Sequence, residues 1–241
     1  MTNPTAAFLV IGDEILSGRT REANIQVLAK ALGAVGIDLT EVRVVPDDRD
    51  AIVEAVNALR ARYDSVFTSG GIGPTHDDIT ADSMAAAFGV GIDVRDDARQ
   101  MLERLVARRG LELTDGVLRM ARIPDGAALI GNKLSGAPGF SLGNVHVMAG
   151  VPGIFAAMVE ELVPTLPGGR PTVSGSLVVE RGEAYFAEAL SRFAAEHEDL
   201  TIGSYPRAED GRFVVEIVVR GTDKARVDDA VARLNTVLSE A

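Results

Sequence analysis

A glycine-rich loop between a strand and a helix, Ser69-Gly70-Gly71-Ile72-Gly73-Pro74-Thr75-His76-Asp77-Asp78-Ile79-Thr80, does most to limit what this chain can fold into. Before it, Tyr63 to Ser69 is a β-branched and aromatic run; after it, Ile79 to Phe88 is alanine-rich with helical spacing. At such a junction backbone N–H groups converge on the mouth, glycines accept positive φ and a close ligand, and the helix start favours an anion. The expected guest is a phosphate or pyrophosphate at Gly70, Gly71 and Gly73, with Thr75 and Thr80 as neighbouring hydroxyls. Asp77 and Asp78 would repel it unless a divalent cation lies between them or a substrate donor meets them. A plainer alternative stays open, in which Asp78 or Thr80 caps the helix, Asp77 complements its dipole and the glycines only make a tight turn. No Gly-Lys-Ser/Thr ends the loop, and His76 stands where G-x-G-x-x-G requires glycine, so neither common nucleotide fingerprint fits.

The same strand-then-helix order recurs. Ala6 to Gly12 precedes a helix over about 22–34, Leu39 to Val45 precedes one over about 49–62, and further helices are expected over Asp96 to Arg109, Thr114 to Ala121 and Ile154 to Val163. Short strands are expected at Ala127 to Ile130 and Val145 to Met148. This alternation predicts an α/β fold with a mostly parallel sheet and helices on both faces, whose ligands bind beyond the carboxyl ends of the strands. The breaker cluster Leu166-Pro167-Gly168-Gly169-Arg170-Pro171 divides a domain over 1–167 from a small α+β domain over 171–241. In the latter we expect strand (Ser176 to Val179), helix (Glu183 to Glu196), strands (Thr201 to Tyr205 and Arg212 to Arg220) and helix (Asp223 to Leu238), with Arg207 to Gly211 as a hairpin turn. It lacks a G-x-x-G clamp and carries an excess of acids, so packing or subunit contact is its expected role.

Other loops fall on the same sheet edge. Gly12-Asp13-Glu14-Ile15-Leu16-Ser17-Gly18 follows the first strand, with Asn24 beyond it; Glu14 is a further candidate metal ligand, and Ser17 and Asn24 are candidate ligand contacts. Ser135-Gly136-Ala137-Pro138-Gly139-Phe140 and Ala149-Gly150-Val151-Pro152-Gly153 add Pro138, Gly139, Gly150 and Pro152, and Lys133 could neutralise a phosphate. His76 is placed to touch substrate, His146 is expected to be structural, and His197 to be solvated in an acidic helix end. With no cysteine, a metal would be a hard cation on oxygen or histidine ligands. A net charge of −11 argues against nucleic acid and anionic membranes. Ala6 to Ile11 is too short for a membrane span, so a cytoplasmic protein with a small-molecule ligand is expected.

Taken in order, G-D-E-I-L-S-G at 12–18 with Asn24, S-G-G-I-G-P-T-H-D-D-I-T at 69–80, S-G-A-P-G-F at 135–140 and A-G-V-P-G at 149–153 resemble the MoaB/Mog-type molybdopterin-binding domain. The likeness runs from Ala6 to about Leu166, in particular to the competence/damage-inducible protein A (CinA) branch, and a similar domain begins eukaryotic FAD synthases. The resemblance implies a three-layer α/β/α fold, substrate phosphate near Gly70, Gly71 and Gly73, and an essential acid at Asp78. It further implies hydrolysis of a nucleotide pyrophosphate such as ADP-ribose or FAD with Mg2+, Mn2+ or Co2+; the alternatives are molybdopterin adenylyl transfer and a non-catalytic pterin or nucleotide-binding module. Asp77 would join Asp78 in catalysis and metal binding, and the small domain would favour a homodimer. Two residues depart from the pattern, Ala149 and Lys133, each where proline is common. No amidohydrolase-like segment follows, so deamidation of nicotinamide mononucleotide is not expected.

Overall fold

Six consecutive apolar residues, Ala6 to Ile11, cannot be satisfied by burying one face of a strand, and the chain covers both. In the computed structural model, which describes residues 2–209 and 212–240, they lie in β1 (Thr5–Ile11), each at most 3% exposed. Strands of parallel sheets buried on both faces carry such uninterrupted apolar runs.

The first compact unit, Met1–Gly169, continues with α1 (Asp13–Leu16), α2 (Asn24–Ala34), β2 (Asp38–Val45), α3 (Arg49–Arg60), β3 (Ser65–Ser69), α4 (Thr80–Phe88), β4 (Ile92–Val94) and α5 (Asp96–Arg109). Then come α6 (Asp115–Arg119), β5 (Arg122–Pro124), β6 (Ala128–Ile130), β7 (Gly139–Leu142), β8 (Val145–Met148) and α7 (Pro152–Leu162). The main sheet has the order β2-β1-β3-β8-β7-β6. Its first four strands are parallel, and β7 and β6 run antiparallel to their neighbours. Ala6, Phe8 and Val10 pack with Leu28 and Leu32 of α2 and Phe155 and Met158 of α7. Ala7, Leu9 and Ile11 pack with Ile52, Val56 and Leu59 of α3, Met84 of α4 and Leu102 of α5. The expected three-layer α/β/α arrangement with a mostly parallel sheet is therefore present.

Some local expectations change. The chain after β1 coils into the short α1 rather than an open turn, and β4 pairs with β5 in a separate antiparallel ribbon. The Ser135 to Phe140 segment was expected to be loop throughout, yet Gly139 opens β7. A Cβ on Gly139 would run into the Val147 carbonyl oxygen, so this glycine serves strand packing rather than a ligand. No helix among the described residues is long and apolar enough to cross a membrane.

The second unit, Arg170–Ala241, contains β9 (Val173–Val179), α8 (Ala187–Ala195), β10 (Thr201–Glu209), β11 (Arg212–Gly221) and α9 (Lys224–Glu240). Its antiparallel sheet has the order β10-β11-β9, and Ile217 and Val219 of β11 share a core with Phe193 of α8 and Val227 and Leu234 of α9. Strand pairing from Thr201↔Arg220 to Glu209↔Arg212 carries β10 through the residues expected to begin the turn; Asp210 and Gly211 lie outside the described residues. His197 is not solvated but 2% exposed. Its ring stacks on Phe193 at 3.9 Å and its Nδ1 lies 2.7 Å from the Phe193 carbonyl oxygen.

Candidate functional site

Parallel register decides which loops meet. Val10 pairs with Ser69 and Ser69 with Met148, so the chain leaves β1, β3 and β8 side by side at Gly12, Gly70 and Ala149. Gly70 has φ +105° and a Cβ there would strike the Ile11 carbonyl oxygen, while a Cβ on Gly150 would press to 3.3 Å from Gly70 Cα. Only glycine allows this approach. The loops enclose a cleft of about 490 Å³. Glu14 and Thr20 line it from the first loop, Gly70, Gly71, Ile72, Gly73 and Asp78 from the second, Ser135, Ala137 and Pro138 from the third, and Gly150, Val151 and Pro152 from the fourth.

Within the glycine loop Asp78 is a tie. Its Oδ1 accepts the Gly73 N–H at 2.6 Å, and its Oδ2 accepts the Thr75 N–H at 2.7 Å and the Thr75 hydroxyl at 2.5 Å. Thr80 is buried, donates its hydroxyl to the Gly70 carbonyl at 3.0 Å and its N–H to that of Gly71 at 3.0 Å. Neither residue caps α4, whose start has no side-chain cap. With the loop pinned this way, the N–H groups of Gly71 and Ile72 find no acceptor among the described residues. The first turn of α7, with Pro152 at its head, is also uncapped. Gly71, Ile72 and, in the first turn of α7, Ile154 belong to the cleft wall, where an oxyanion would satisfy their N–H groups.

Acidic groups gather on one flank. Asp77 does not line the cleft and its side chain is 63% exposed. Burial pushes the Asp47 carboxyl up, against a hydrogen bond from the Asp13 N–H at 3.0 Å, and the charges of Glu14, Asp13 and Asp77 add to the rise. Among the described residues no three histidines or acids are grouped to hold an ion. A cation of the magnesium class needs no such cage, since it uses one or two carboxylates and takes its other ligands from water and substrate phosphates. Glu14 and Asp78, the two carboxylates bordering the cleft, fit that limited requirement.

The remaining candidates are distributed around the cleft rather than in it. Asn24 is buried and braces the fourth loop, its amide donating to the Gly150 carbonyl at 2.9 Å; its own carbonyl oxygen has no partner among the described residues. Ser17 is exposed at the end of α1, Thr75 is committed to Asp78, and Lys133 faces a different cavity. The His76 side chain is 97% exposed. His146 is structural as expected: burial pushes its pKa down to about 4, and its Nδ1 lies 2.8 Å from the Ser141 hydroxyl. Thr20, Met120, Ser135 and Met158 line the cleft without having been singled out. Thr20 is brought there by its N–H bond to the Glu14 carbonyl at 2.9 Å, a fold-back with no sequence signature.

Residues 7–168 match the family described as "Probable molybdopterin binding domain", and residues 171–241 match one described as "FAD synthase, middle domain". A probable FAD synthase of Caenorhabditis elegans is 30% identical over 98% of this chain, which spans 50% of that protein's length. A CinA-like protein of Frankia casuarinae is 32% identical over 98% of this chain and 58% of its own length. Among solved structures, the protein CinA of Thermoplasma acidophilum, described as of unknown function, is 33% identical with a TM-score of 0.59, covering 65% of this chain and 94% of that one.

Proposed function

Because this chain belongs to the MoaB/Mog-type molybdopterin-binding-domain family, with CinA-like and FAD synthase relatives, we propose that it hydrolyses a nucleotide pyrophosphate of the ADP-ribose or FAD kind in the glycine-loop cleft. The observation that carries this reading is the pair of unpartnered N–H groups at Gly71 and Ile72, beside the uncapped start of α7. Donors fixed by the fold before a ligand arrives stabilise charge developing on phosphate oxygens without reorganising. Asp78 keeps them in place by gripping Gly73 and Thr75. The cleft is large enough to hold a nucleotide fragment, and Met120 and Ile154 supply apolar wall for a sugar or ring.

In the reaction water adds to one phosphorus and the bridging oxygen leaves with the other, so ADP-ribose would give AMP and ribose 5-phosphate. A divalent cation, when bound at Glu14 and Asp78, would neutralise phosphate charge and lower the pKa of a coordinated water. Incubation with ADP-ribose, FAD and NAD under Mg2+, Mn2+ and Co2+ is expected to release AMP from at least one of them, and to stop on chelation. Transfer of AMP from ATP to molybdopterin without hydrolysis of any of the three would replace this reading by adenylyl transfer; binding without turnover under every metal would reduce the protein to a binding module.

A further inference from the structure

Beside the cleft, in a chain of net charge −11, four cations surround a cavity of about 340 Å³: Arg104, Arg108 and Arg109 of α5, and Lys133 of the loop after β6. The ion pairs involving the start of α5 use Arg95 with Asp97 and Arg99 with Glu103. Among the described residues none of the four cations takes part in one. Arg108 and Arg109 in the last turn complement the helix dipole. That does not account for Arg104, a turn earlier, or for Lys133 on another element. Arg104 and Arg108 stand four residues apart, an arrangement of like charges that destabilises a helix unless an anion lies between them.

Ser135 lines this cavity and the glycine cleft alike. It is a fixed divider, 8% exposed, whose N–H and hydroxyl both reach Asn132 Oδ1, at 2.6 and 3.0 Å. The Asn132 amide in turn donates to the Ala137 carbonyl at 2.7 Å, and the loop lies beside α5, where a Cβ on Gly136 would be in ordinary contact with Leu105 at 3.8 Å. A ligand in the cleft therefore needs to pass only one side chain to reach the cations. On Lys133's other side Glu160 and Glu161 line a separate cavity.

We propose that the basic cavity is a second anion subsite, which takes a phosphate monoester carried by the same ligand whose pyrophosphate lies against the glycine loop. Arginine forks pair two-point with phosphate oxygens, and Met101 and Leu134 give the cavity apolar wall for the attached sugar. Nucleotide pyrophosphates that carry an additional ribose phosphate would then be held at both places, and more tightly than those without one. The link between the two cavities rests on the proposed function; the anion site itself does not.

The test is calorimetric titration of the full chain with two matched pairs, NADP+ against NAD+ and coenzyme A against its dephosphorylated form. At least one phosphorylated member is expected to bind about tenfold or more tightly than its partner. The double substitution Arg104→Ser, Arg108→Ser, at exposed positions of α5, should erase that preference, leave the affinity for the unphosphorylated member unchanged and preserve the thermal unfolding midpoint. Inorganic phosphate, which the glycine loop would also accept, should bind at one site fewer in the double variant. No preference in either pair, a preference surviving the double substitution, or phosphate binding with no nucleotide preference would each overturn the subsite. A preference without AMP release would overturn the proposed hydrolysis alone, whereas failure of every nucleotide to bind would overturn both.

Discussion

Replacing Asp78 by asparagine is expected to lower kcat/KM for ADP-ribose by about a hundredfold or more while the protein still unfolds cooperatively. The carboxylate accepts three hydrogen bonds, from the Gly73 N–H, the Thr75 N–H and the Thr75 hydroxyl. An asparagine amide must turn its NH2 toward one of those sets, setting donor against donor. Losing a charge-assisted bond of this kind costs about 1.5–3 kcal/mol, and a hundredfold rate loss corresponds to about 2.7 kcal/mol, so one broken tie suffices. The damage is local because the loop lies on the outside of the sheet edge and the packed strands beneath it keep their contacts. Circular-dichroism melts beside steady-state kinetics separate the two effects. Full activity in this variant would remove Asp78 from the mechanism.

Gly70→Ala is expected to destabilise the protein by about 3 kcal/mol or more and to eliminate nucleotide binding. At φ +105° an added Cβ meets the Ile11 carbonyl oxygen, part of β1, whose residues from Ala6 to Ile11 are all buried, and cannot push it aside. Gly18→Ala is the matched control, also at positive φ (+71°) but with nothing within 4 Å of its Cβ, so only the conformational penalty of about 1 kcal/mol applies. Urea unfolding of the two variants should therefore give clearly different midpoints. Equal midpoints would mean that the β1 and β3 loops do not approach as closely as the register of the two strands requires.

The convergence of the loops was legible because strand-loop-helix order fixes a parallel sheet, and a parallel sheet gathers the loops at residues 12, 70 and 150 at one edge. What each side chain does there was not legible. An acid near a helix start looks the same whether it caps the helix, binds a cation or grips the turn before it; the path of the chain through Pro74 turns Asp78 away from the cap and onto that turn. Lys133 was a candidate partner for a phosphate, but its destination depends on how α5 lies, and periodicity shows that a helix exists without showing what it faces. Gly139 was misread because β7 has only four residues, too few for a period-two pattern to separate it from the glycine-proline loop before it. His197 lies four residues after Phe193, a spacing that allows the stacked pair, yet the surrounding acids outweighed it.

The central claim is that the cleft presents free backbone donors to a pyrophosphate, and amide chemical shifts report this directly. Titrating the isotope-labelled protein with the non-hydrolysable α,β-methylene analogue of ADP-ribose should move the Gly71 and Ile72 amide resonances to lower field, together with those at Gly150 and Val151. Saturable binding that leaves these four amides unmoved while resonances elsewhere shift would contradict it.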